Sequence, residues 1–250
     1  MKLQRHTGRR RSGGFLAEGP NLVAAAAARG LVDEVFATEA AAERHRDLLG
    51  GLKVTPVTEA AAKALSETVT PSGLVAVCRT PETDLDSVLA DRPTLIAVAV
   101  DLSEPGNAGT LIRTADAMGA AVVVFAGQTV DPYNGKCLRS SAGSIFSLPV
   151  LTEPDVVGLL ERLRAAGLQV LATALDGAVD LDDAGLVLAK PTAWVFGSEA
   201  HGLAVEVTAQ ADRTVKIPMA GGAESLNVGA AAAICLYETA RAQRRPRGSE

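Results

Sequence analysis

Short runs of almost wholly apolar residues recur along the second part of the chain, and they constrain its fold more than any other feature. The runs are predicted as strands at Thr94–Leu102, Ala121–Phe125, Leu168–Ala174 and Thr192–Phe196. A strand reads in this way when both of its faces are buried, as in a parallel sheet. Helical patterns at Leu111–Met118 and Pro154–Ala166 separate the strands. This alternation predicts an α/β fold with a mostly parallel sheet and helices on both faces.

A smaller α/β unit precedes this sheet. A short strand and turn are predicted at Phe15–Pro20, and strands at Val32–Thr38, Val54–Val57 and Leu74–Cys78. Helices are predicted at Asn21–Arg29, Ala40–Leu49 and Thr58–Ser66. Asn21 and Thr58 are predicted N-caps, because their short polar side chains can accept from the first N–H groups of a helix. The polar stretch Thr80–Pro93 marks a boundary. We therefore expect a small domain over residues 1–85, a linker over 86–93 and a larger domain over 94–250.

The net charge of −5 argues against a nucleic-acid partner, but the cations are unevenly distributed. They crowd both ends of the chain, at Lys2, Arg5, Arg9, Arg10 and Arg11, then at Arg241, Arg244, Arg245 and Arg247. Basic ends on a mildly acidic body can hold phosphates, and two solvated, disordered tails are an equal alternative. Aromatic residues make up only 3% of the chain, so base stacking on many rings is not expected.

The cysteines and the apolar runs bear on location. Cys78, Cys137 and Cys235 are far apart and odd in number, so they predict neither disulfides nor a metal site and fit a reducing cytoplasm. No apolar run reaches the ~18 residues of a membrane span, and no signal core follows the basic N-terminus. We expect a cytoplasmic protein without membrane association.

Three predicted loops follow the carboxyl ends of strands, where ligands gather in open parallel sheets. The loops are Ser103–Thr110, Gly197–Leu203 and Pro218–Asn227. The loops carry the amides Asn107 and Asn227, the hydroxyl Ser225 and the carboxylate Glu199. The cation Arg113 follows one turn into the helix after the first loop. Ser225 is the predicted N-cap of the alanine-rich helix that follows, and Gly221-Gly222 is predicted to adopt backbone angles forbidden to other residues.

Familiar cofactor and nucleophile signatures are missing. No G-x-G-x-x-G follows a strand, and Gly135-Lys136 lacks the upstream glycine of a phosphate loop. The histidines do not cluster, so no metal site is expected. Ser198 is not in a G-x-S-x-G elbow, so it is not expected to act as a nucleophile.

Taken in order, the three loops resemble the three motifs of the SpoU (TrmH-like) RNA 2′-O-ribose methyltransferases of the SPOUT superfamily. The matching segments are Asn107-x-Gly109-x-x-x-Arg113-Thr114-Ala115, then Val195-Phe196-Gly197-Ser198-Glu199-x-x-Gly202-Leu203, then Ile217-Pro218-Met219 with Ser225-Leu226-Asn227-Val228. Each motif alone is weak, whereas all three in this order are specific. More loosely, Phe15–Pro20 before an alanine-rich helix is similar to the small RNA-binding domain that often precedes the catalytic domain.

The resemblance implies an enzyme that uses S-adenosylmethionine, needs no metal, forms a homodimer and carries a C-terminal trefoil knot. The implied catalytic residues are Asn107, Arg113, Glu199, Ser225 and Asn227. The implied cofactor-binding residues are Gly197, Ile217, Leu226, Met219, Thr173 and Ala174. RNA contacts are predicted at Arg9, Arg10, Arg11 and Arg139. For Arg139, Ser140 and Ser141, a structural role is an equal alternative.

Arg113 has two candidate roles in the expected reaction. The mechanism proposed for the family makes it the general base, but a guanidinium rarely loses its proton in a protein. We therefore favour an arginine that binds a phosphate and stabilises the developing alkoxide, while Ser225 and Asn227 orient the ribose. Viewed alone, without the other motifs, Arg113 is more simply explained as a surface helix residue that pairs with Asp116 at i+3.

The expected function is methyl transfer to a ribose 2′-OH of RNA, with ribosomal RNA favoured over transfer RNA. The alternatives are a non-catalytic RNA-binding ribosome-assembly factor and a small-molecule methyltransferase. The first would bind RNA without methylating it, and the second would not need residues 1–90.

Overall fold

The computed structural model describes residues 3–198 and 201–244, which form two sheets with helices packed on them. The strands of the N-terminal sheet are β1 (Gly14–Glu18), β2 (Val32–Ala37), β3 (Val54–Pro56) and β4 (Leu74–Arg79). Its helices are α1 (His6–Ser12), α2 (Pro20–Ala28), α3 (Glu39–Arg44), α4 (Arg46–Leu49) and α5 (Glu59–Leu65). The strand order is β1-β4-β2-β3, and β4 runs antiparallel to both of its neighbours. The predicted small α/β unit is therefore built on a mixed sheet.

In the described part of the chain, the larger sheet has seven strands and all neighbouring strands are parallel. They are β5 (Leu95–Val100), β6 (Val123–Ala126), β7 (Val150–Glu153), β8 (Gln169–Thr173), β9 (Val179–Asp180), β10 (Thr192–Phe196) and β11 (Arg213–Lys216). The accompanying helices are α6 (Leu85–Ala90), α7 (Pro105–Met118), α8 (Gly135–Ser141), α9 (Val156–Ala165), α10 (Gly185–Leu188), α11 (Val205–Thr208) and α12 (Val228–Arg244). The order β7-β6-β5-β10-β8-β11-β9 shows that the chain builds outward from β5 to β7 on one side. On the other side, β10 lies between β5 and β8, and β11 lies between β8 and β9.

Alternate side chains of the central strand β5 enter two different buried clusters. Ala97 and Ala99 lie in the cluster that includes residues of α7 and α12. Ile96 and Val98 lie in the cluster that includes residues of α9. The predicted mostly parallel sheet with helices on both faces is therefore confirmed, whereas the trefoil knot stays a prediction. No helix within the described residues is both long and apolar enough to cross a membrane.

Helix α7 begins earlier than its apolar pattern predicted. It begins at Pro105, which occupies the first turn, and the Glu104 carboxylate accepts a hydrogen bond from the Gly106 N–H at 3.2 Å. Most of the predicted loop Ser103–Thr110 is therefore helical. Asn107 lies in the first turn of α7 rather than in a loop.

Of the two predicted N-caps in the smaller unit, one is confirmed and one is wrong. Thr58 caps α5 as predicted, because its hydroxyl accepts from the Ala61 N–H at 3.2 Å. Asn21 is not a cap, since α2 begins one residue earlier at Pro20. The single helix predicted at Ala40–Leu49 is divided at His45 into α3 and α4.

The predicted boundary stretch Thr80–Pro93 has structure of its own. It contains α6, which Asp84 caps by accepting from the Ser87 N–H at 2.8 Å. Leu85 is buried in the cluster under the larger sheet. The stretch is therefore packed against the second unit, and the domain limits 1–85, 86–93 and 94–250 stay predictions.

An apolar contact and a buried ion pair join the two units. The ring centroid of Phe15 in β1 lies 4.9 Å from that of Tyr133 and 5.9 Å from that of Phe146. Arg9 of α1 donates from Nε to Asp131 Oδ2 at 2.7 Å, and only 8% of the Arg9 side chain is exposed. The prediction that Arg9 contacts RNA is therefore wrong. Its guanidinium holds α1 against the loop before α8.

We expect Arg9→Ala to lower the free energy of unfolding by about 3 kcal/mol, because it leaves the Asp131 carboxylate buried without its cation. The neighbouring Arg10→Ala is the matched control, since Arg10 is exposed on the same helix. It should change stability by no more than ~0.5 kcal/mol. Urea unfolding of the wild type and both variants measures the difference. Equal stability of the two variants would contradict the structural role of Arg9.

Candidate active site

Two side chains from distant parts of the sequence meet beyond the carboxyl end of the larger sheet. Asn227 donates from Nδ2 to Asn107 Oδ1 at 3.0 Å. Asn227 also sets the start of α12, because its Oδ1 accepts from the Gly229 N–H at 2.9 Å and its carbonyl accepts from the Ala231 N–H. The first and third predicted loops therefore meet, and the contact joins the first turn of α7 to the residue that precedes α12.

The N-cap of α12 is Asn227 rather than Ser225. The helix begins at Val228, and Ser225 is an exposed residue of the preceding loop. Gly221 and Gly222 also differ from the prediction. Neither adopts a positive φ, and a Cβ added to either would meet no atom within 4 Å. Ser225 therefore does not hold the start of α12, contrary to the prediction.

A cavity of about 870 Å³ opens between the loops after β8, β10 and β11. This volume is in the range of small-molecule sites. All of the predicted cofactor-binding residues line it, namely Thr173, Ala174, Gly197, Ile217, Met219 and Leu226. Ser225 lines it as well. Its walls combine aliphatic side chains with hydroxyl, carboxylate and backbone groups, which suits a ligand with both an apolar ring and polar ends.

Gly197 is required where two segments of the chain approach each other. A Cβ added to Gly197 would lie 2.3 Å from the carbonyl carbon of Gly202 and 2.5 Å from the backbone nitrogen of Leu203. The Gly202 N–H donates to the Ser198 carbonyl at 2.8 Å, which closes the loop on itself. Any side chain at position 197 would push this loop away from β10, so the glycine fixes one wall of the cavity.

Sequence reasoning missed several residues of the cavity. Asp176, His201, Val205 and Glu224 line it, although no motif pointed to them. Gly177 does not line the cavity, but it follows Asp176 and marks a close approach, since an added Cβ would lie 2.5 Å from the backbone nitrogen of Lys216. A glycine in the loop after a predicted strand can indicate such an approach.

Arg113 lies on α7, beyond Asn107, and its side chain is exposed. Among the described residues it makes no hydrogen bond or ion pair, so the alternative pair with Asp116 is not formed. Glu199, the predicted acidic member of the catalytic set, lies outside the described residues. The structure therefore brings Asn107 and Asn227 into contact and leaves Arg113 open to solvent.

Helix α7 is positioned by close packing against α8. A Cβ added to Gly109 would lie 2.0 Å from Ser140 Oγ and 2.4 Å from the Cys137 carbonyl oxygen. At the start of the helix, Lys136 donates to Glu104 at 2.5 Å, and this contact is the main reason why the pKa of Glu104 is lowered. Ser140 donates to backbone carbonyls of its own helix, so its role is structural.

The predicted RNA-binding arginines other than Arg9 are exposed. Arg10 and Arg11 are on α1, and Arg139 is on α8. The N-terminal arginines are therefore part of an ordered helix rather than of a solvated tail. At the other end, Arg241 is in α12 and pairs with Glu238 at 2.5 Å, whereas Arg245 and Arg247 lie outside the described residues.

Metal binding and thiolate chemistry find little support in the described residues. No group of three or more His, Cys, Asp or Glu side chains within 3–198 and 201–244 could hold a metal ion. Cys78, Cys137 and Cys235 are buried free thiols. Burial raises the pKa of Cys78 and Cys137 to about 12 and also raises that of Cys235, so none of them forms a thiolate readily.

Comparison with known proteins gives a consistent assignment. Residues 94–237 match the model of the SpoU rRNA Methylase family, and residues 1–76 match the MRM3-like substrate binding domain. The 23S rRNA (guanosine(2553)-2′-O)-methyltransferase RlmP of Bacillus subtilis is 36% identical over 237 residues, which is 94% of this chain and 92% of that protein.

Solved structures agree with this sequence relationship. The SpoU methyltransferase AviRb from Streptomyces viridochromogenes, in complex with the cofactor AdoMet, has a TM-score of 0.83 and 34% identity, covering 96% of this chain and 94% of that one. The AdoMet-bound rRNA methyltransferase from Sinorhizobium meliloti has a TM-score of 0.82 and 30% identity, covering 96% and 91%. This chain belongs to the SpoU rRNA methylase family.

Proposed function

We propose that this protein transfers a methyl group from S-adenosylmethionine to a ribose 2′-OH of ribosomal RNA. The observation that carries the proposal is the position of the Asn107–Asn227 contact beside the cavity. Leu226 and Val228, the chain neighbours of Asn227, both line that cavity. A cofactor held there and a ribose held by the asparagines would meet at one edge of the sheet. The names of the relatives, which include 23S rRNA 2′-O-methyltransferases, favour ribosomal RNA over transfer RNA.

The cavity residues fit the proposed cofactor. Leu203, Val205 and Leu226 offer apolar surface to an adenine ring, and Thr173 and Ser198 offer hydroxyl groups. We assign Gly197, Ile217, Leu226, Met219, Thr173 and Ala174 to its binding. S-adenosylmethionine supplies an electrophilic methyl group on a cationic sulfur when it is bound.

The other residues of the site position the ribose and its 2′-hydroxyl for the reaction. A ribose 2′-OH is a poor nucleophile, and correct alignment of reacting groups can supply about 7–11 kcal/mol. In our proposal Asn107, Asn227 and Ser225 orient the ribose. Arg113 binds a neighbouring phosphate and stabilises negative charge as it develops on the 2′-oxygen. It keeps its own proton throughout. The contribution of Glu199 stays a prediction.

RNA reaches the site, in this proposal, along the exposed cations of α1 and α8. Arg10 and Arg11 on α1 and Arg139 on α8 contact phosphates. The ion pair between Arg9 and Asp131, which fixes α1 to the segment that leads into α8, supports a path that uses cations of both units. We further propose a homodimer with a trefoil knot in each subunit, located in the cytoplasm.

Labelled methyl transfer tests the function directly. Incubation with methyl-labelled S-adenosylmethionine and ribosomal RNA from cells that lack this protein should label one RNA, and mapping should place the label on a ribose 2′-oxygen. Label in transfer RNA alone would support the transfer RNA alternative. RNA binding without label in any RNA would support the assembly factor.

Arg113→Lys should lower kcat about 100-fold, because a compact ammonium cannot reproduce the planar fork of the guanidinium. Stability should not change, since Arg113 is exposed. Arg44→Lys is the matched control on an exposed site of α3 and should retain full activity. Single-turnover methylation measures the effect. Near-normal turnover of Arg113→Lys would contradict both candidate roles of the arginine.

Asn227→Asp separates the two tasks of this residue. The carboxylate can still accept from the Gly229 N–H, so the start of α12 should survive, but the donor to Asn107 is lost. We expect unfolding free energy within ~0.5 kcal/mol of the wild type and a fall in kcat/KM of about 10- to 100-fold. Adding Asn107→Ala should lower kcat/KM little further, because the two residues act together. Fully additive losses would show that they act separately.

Arg10→Ala/Arg11→Ala should weaken RNA binding and reduce the slope of log K against log salt by about 2, one for each lost phosphate contact. Lys53→Ala is the control, because Lys53 is already paired with Glu34 at 3.1 Å in the same unit. Filter binding over a salt series measures both slopes. An unchanged slope in the double variant would place the RNA elsewhere.

A further inference from the structure

The ionisable side chains that line the cavity are unbalanced in charge. Among the described residues it contains two carboxylates, Asp176 and Glu224, and one histidine, His201, but no lysine or arginine. The rest of the lining is apolar or neutral. Asp176 and Glu224 come from different loops, after β8 and after β11, so their place in one cavity is a consequence of the fold.

Within the described part of the chain, neither carboxylate is paired with a cation of the protein. The ion pairs of the described residues include neither Asp176 nor Glu224, and no hydrogen bond of either side chain is present there. Both residues are exposed, so solvent stabilises their charges while the cavity is open. They are therefore not needed to balance a cation of the protein, and their field acts on whatever enters the cavity.

The proposed reaction changes the charge of the cavity's ligand. S-adenosylmethionine carries a sulfonium, an ammonium and a carboxylate, with a net charge of about +1 at neutral pH. Transfer of the methyl group leaves the sulfur pair of electrons behind as a neutral thioether, so the product S-adenosylhomocysteine has a net charge of about zero. A negative cavity therefore attracts the donor more than the product.

We infer that Asp176 and Glu224 make the cavity selective for the methyl donor over its demethylated product. This inference rests on the proposed function, because it assigns the cavity to S-adenosylmethionine. The selectivity arises from charge rather than from shape, since the two ligands differ only by one methyl group and one positive charge. Its consequence is that methyl transfer itself weakens the hold on the spent cofactor and favours its replacement by a new donor.

Calorimetric titration of the full chain with each ligand tests the inference without measuring turnover. In Asp176→Asn/Glu224→Gln, we expect the Kd of S-adenosylmethionine to rise about 3- to 10-fold and that of S-adenosylhomocysteine to change less than about 2-fold. Sinefungin, in which an amine-bearing carbon replaces the sulfonium, should follow the donor. Glu206→Gln is the control, because Glu206 is next to Val205 on α11 but does not line the cavity.

The salt dependence gives a second readout from the wild type. Between about 0.02 M and about 0.5 M salt, the preference for donor over product should shrink in the wild type and stay constant in the double variant. Equal losses for donor and product in the double variant would overturn the inference, since they would place the carboxylates on the ammonium that both ligands share. No change for either ligand would overturn it as well. Failure of all three ligands to bind the wild type would instead refute the cofactor assignment.

Discussion

Burial of the central strands on both faces is the constraint on which the rest of this structure depends. β5 and β10 are adjacent, and nearly every side chain of both is buried between helices. A sheet covered in this way cannot bind ligands on its faces, so its sites lie at the strand ends. Because the chain builds to one side of β5 before it returns to the other, the loops after β10 and β11 come back to the start of α7. The site follows from this order of strands.

The site also requires that the starts of α7 and α12 are fixed at the carboxyl edge of the larger sheet. Trp194 in β10 donates to the Thr239 hydroxyl of α12 at 2.8 Å in a fully buried setting, which fixes this helix against the sheet. α7 is fixed by the close approach of Gly109 to α8. Neither contact touches the cavity. They matter because a hydrogen bond such as that of Asn107 to Asn227 forms only when both helix starts are held within a fraction of an ångström.

The parts of the fold that could be predicted are those that one segment decides by itself. The run at Thr192–Phe196 is apolar on both faces, and it forms a strand with those limits. Thr58 has only its own helix to cap, and it does so. α7 was predicted too short because its first turn is Gly106-Asn107, which are poor helix formers, and the capping carboxylate of Glu104 and tertiary packing outweigh their propensity. β9 and α10 were missed because they are too short to show a period.

The sequence alone does not predict which of the basic residues are buried and which are exposed. Arg9, Arg10 and Arg11 are indistinguishable as a basic run, yet one is buried on Asp131 and the other two face solvent. The difference comes from the helical rotation of 100° per residue, which turns only one of three neighbours towards the larger unit. For Arg113 the reverse holds: its surface position is ordinary, and only the motif sets it apart. Within residues 3–198 and 201–244 Arg113 forms no ion pair, so in our proposal its contribution comes from RNA that docks beside α7. Arg9 thus stabilises the fold through Asp131, whereas Arg113 is available to a ligand in our proposal.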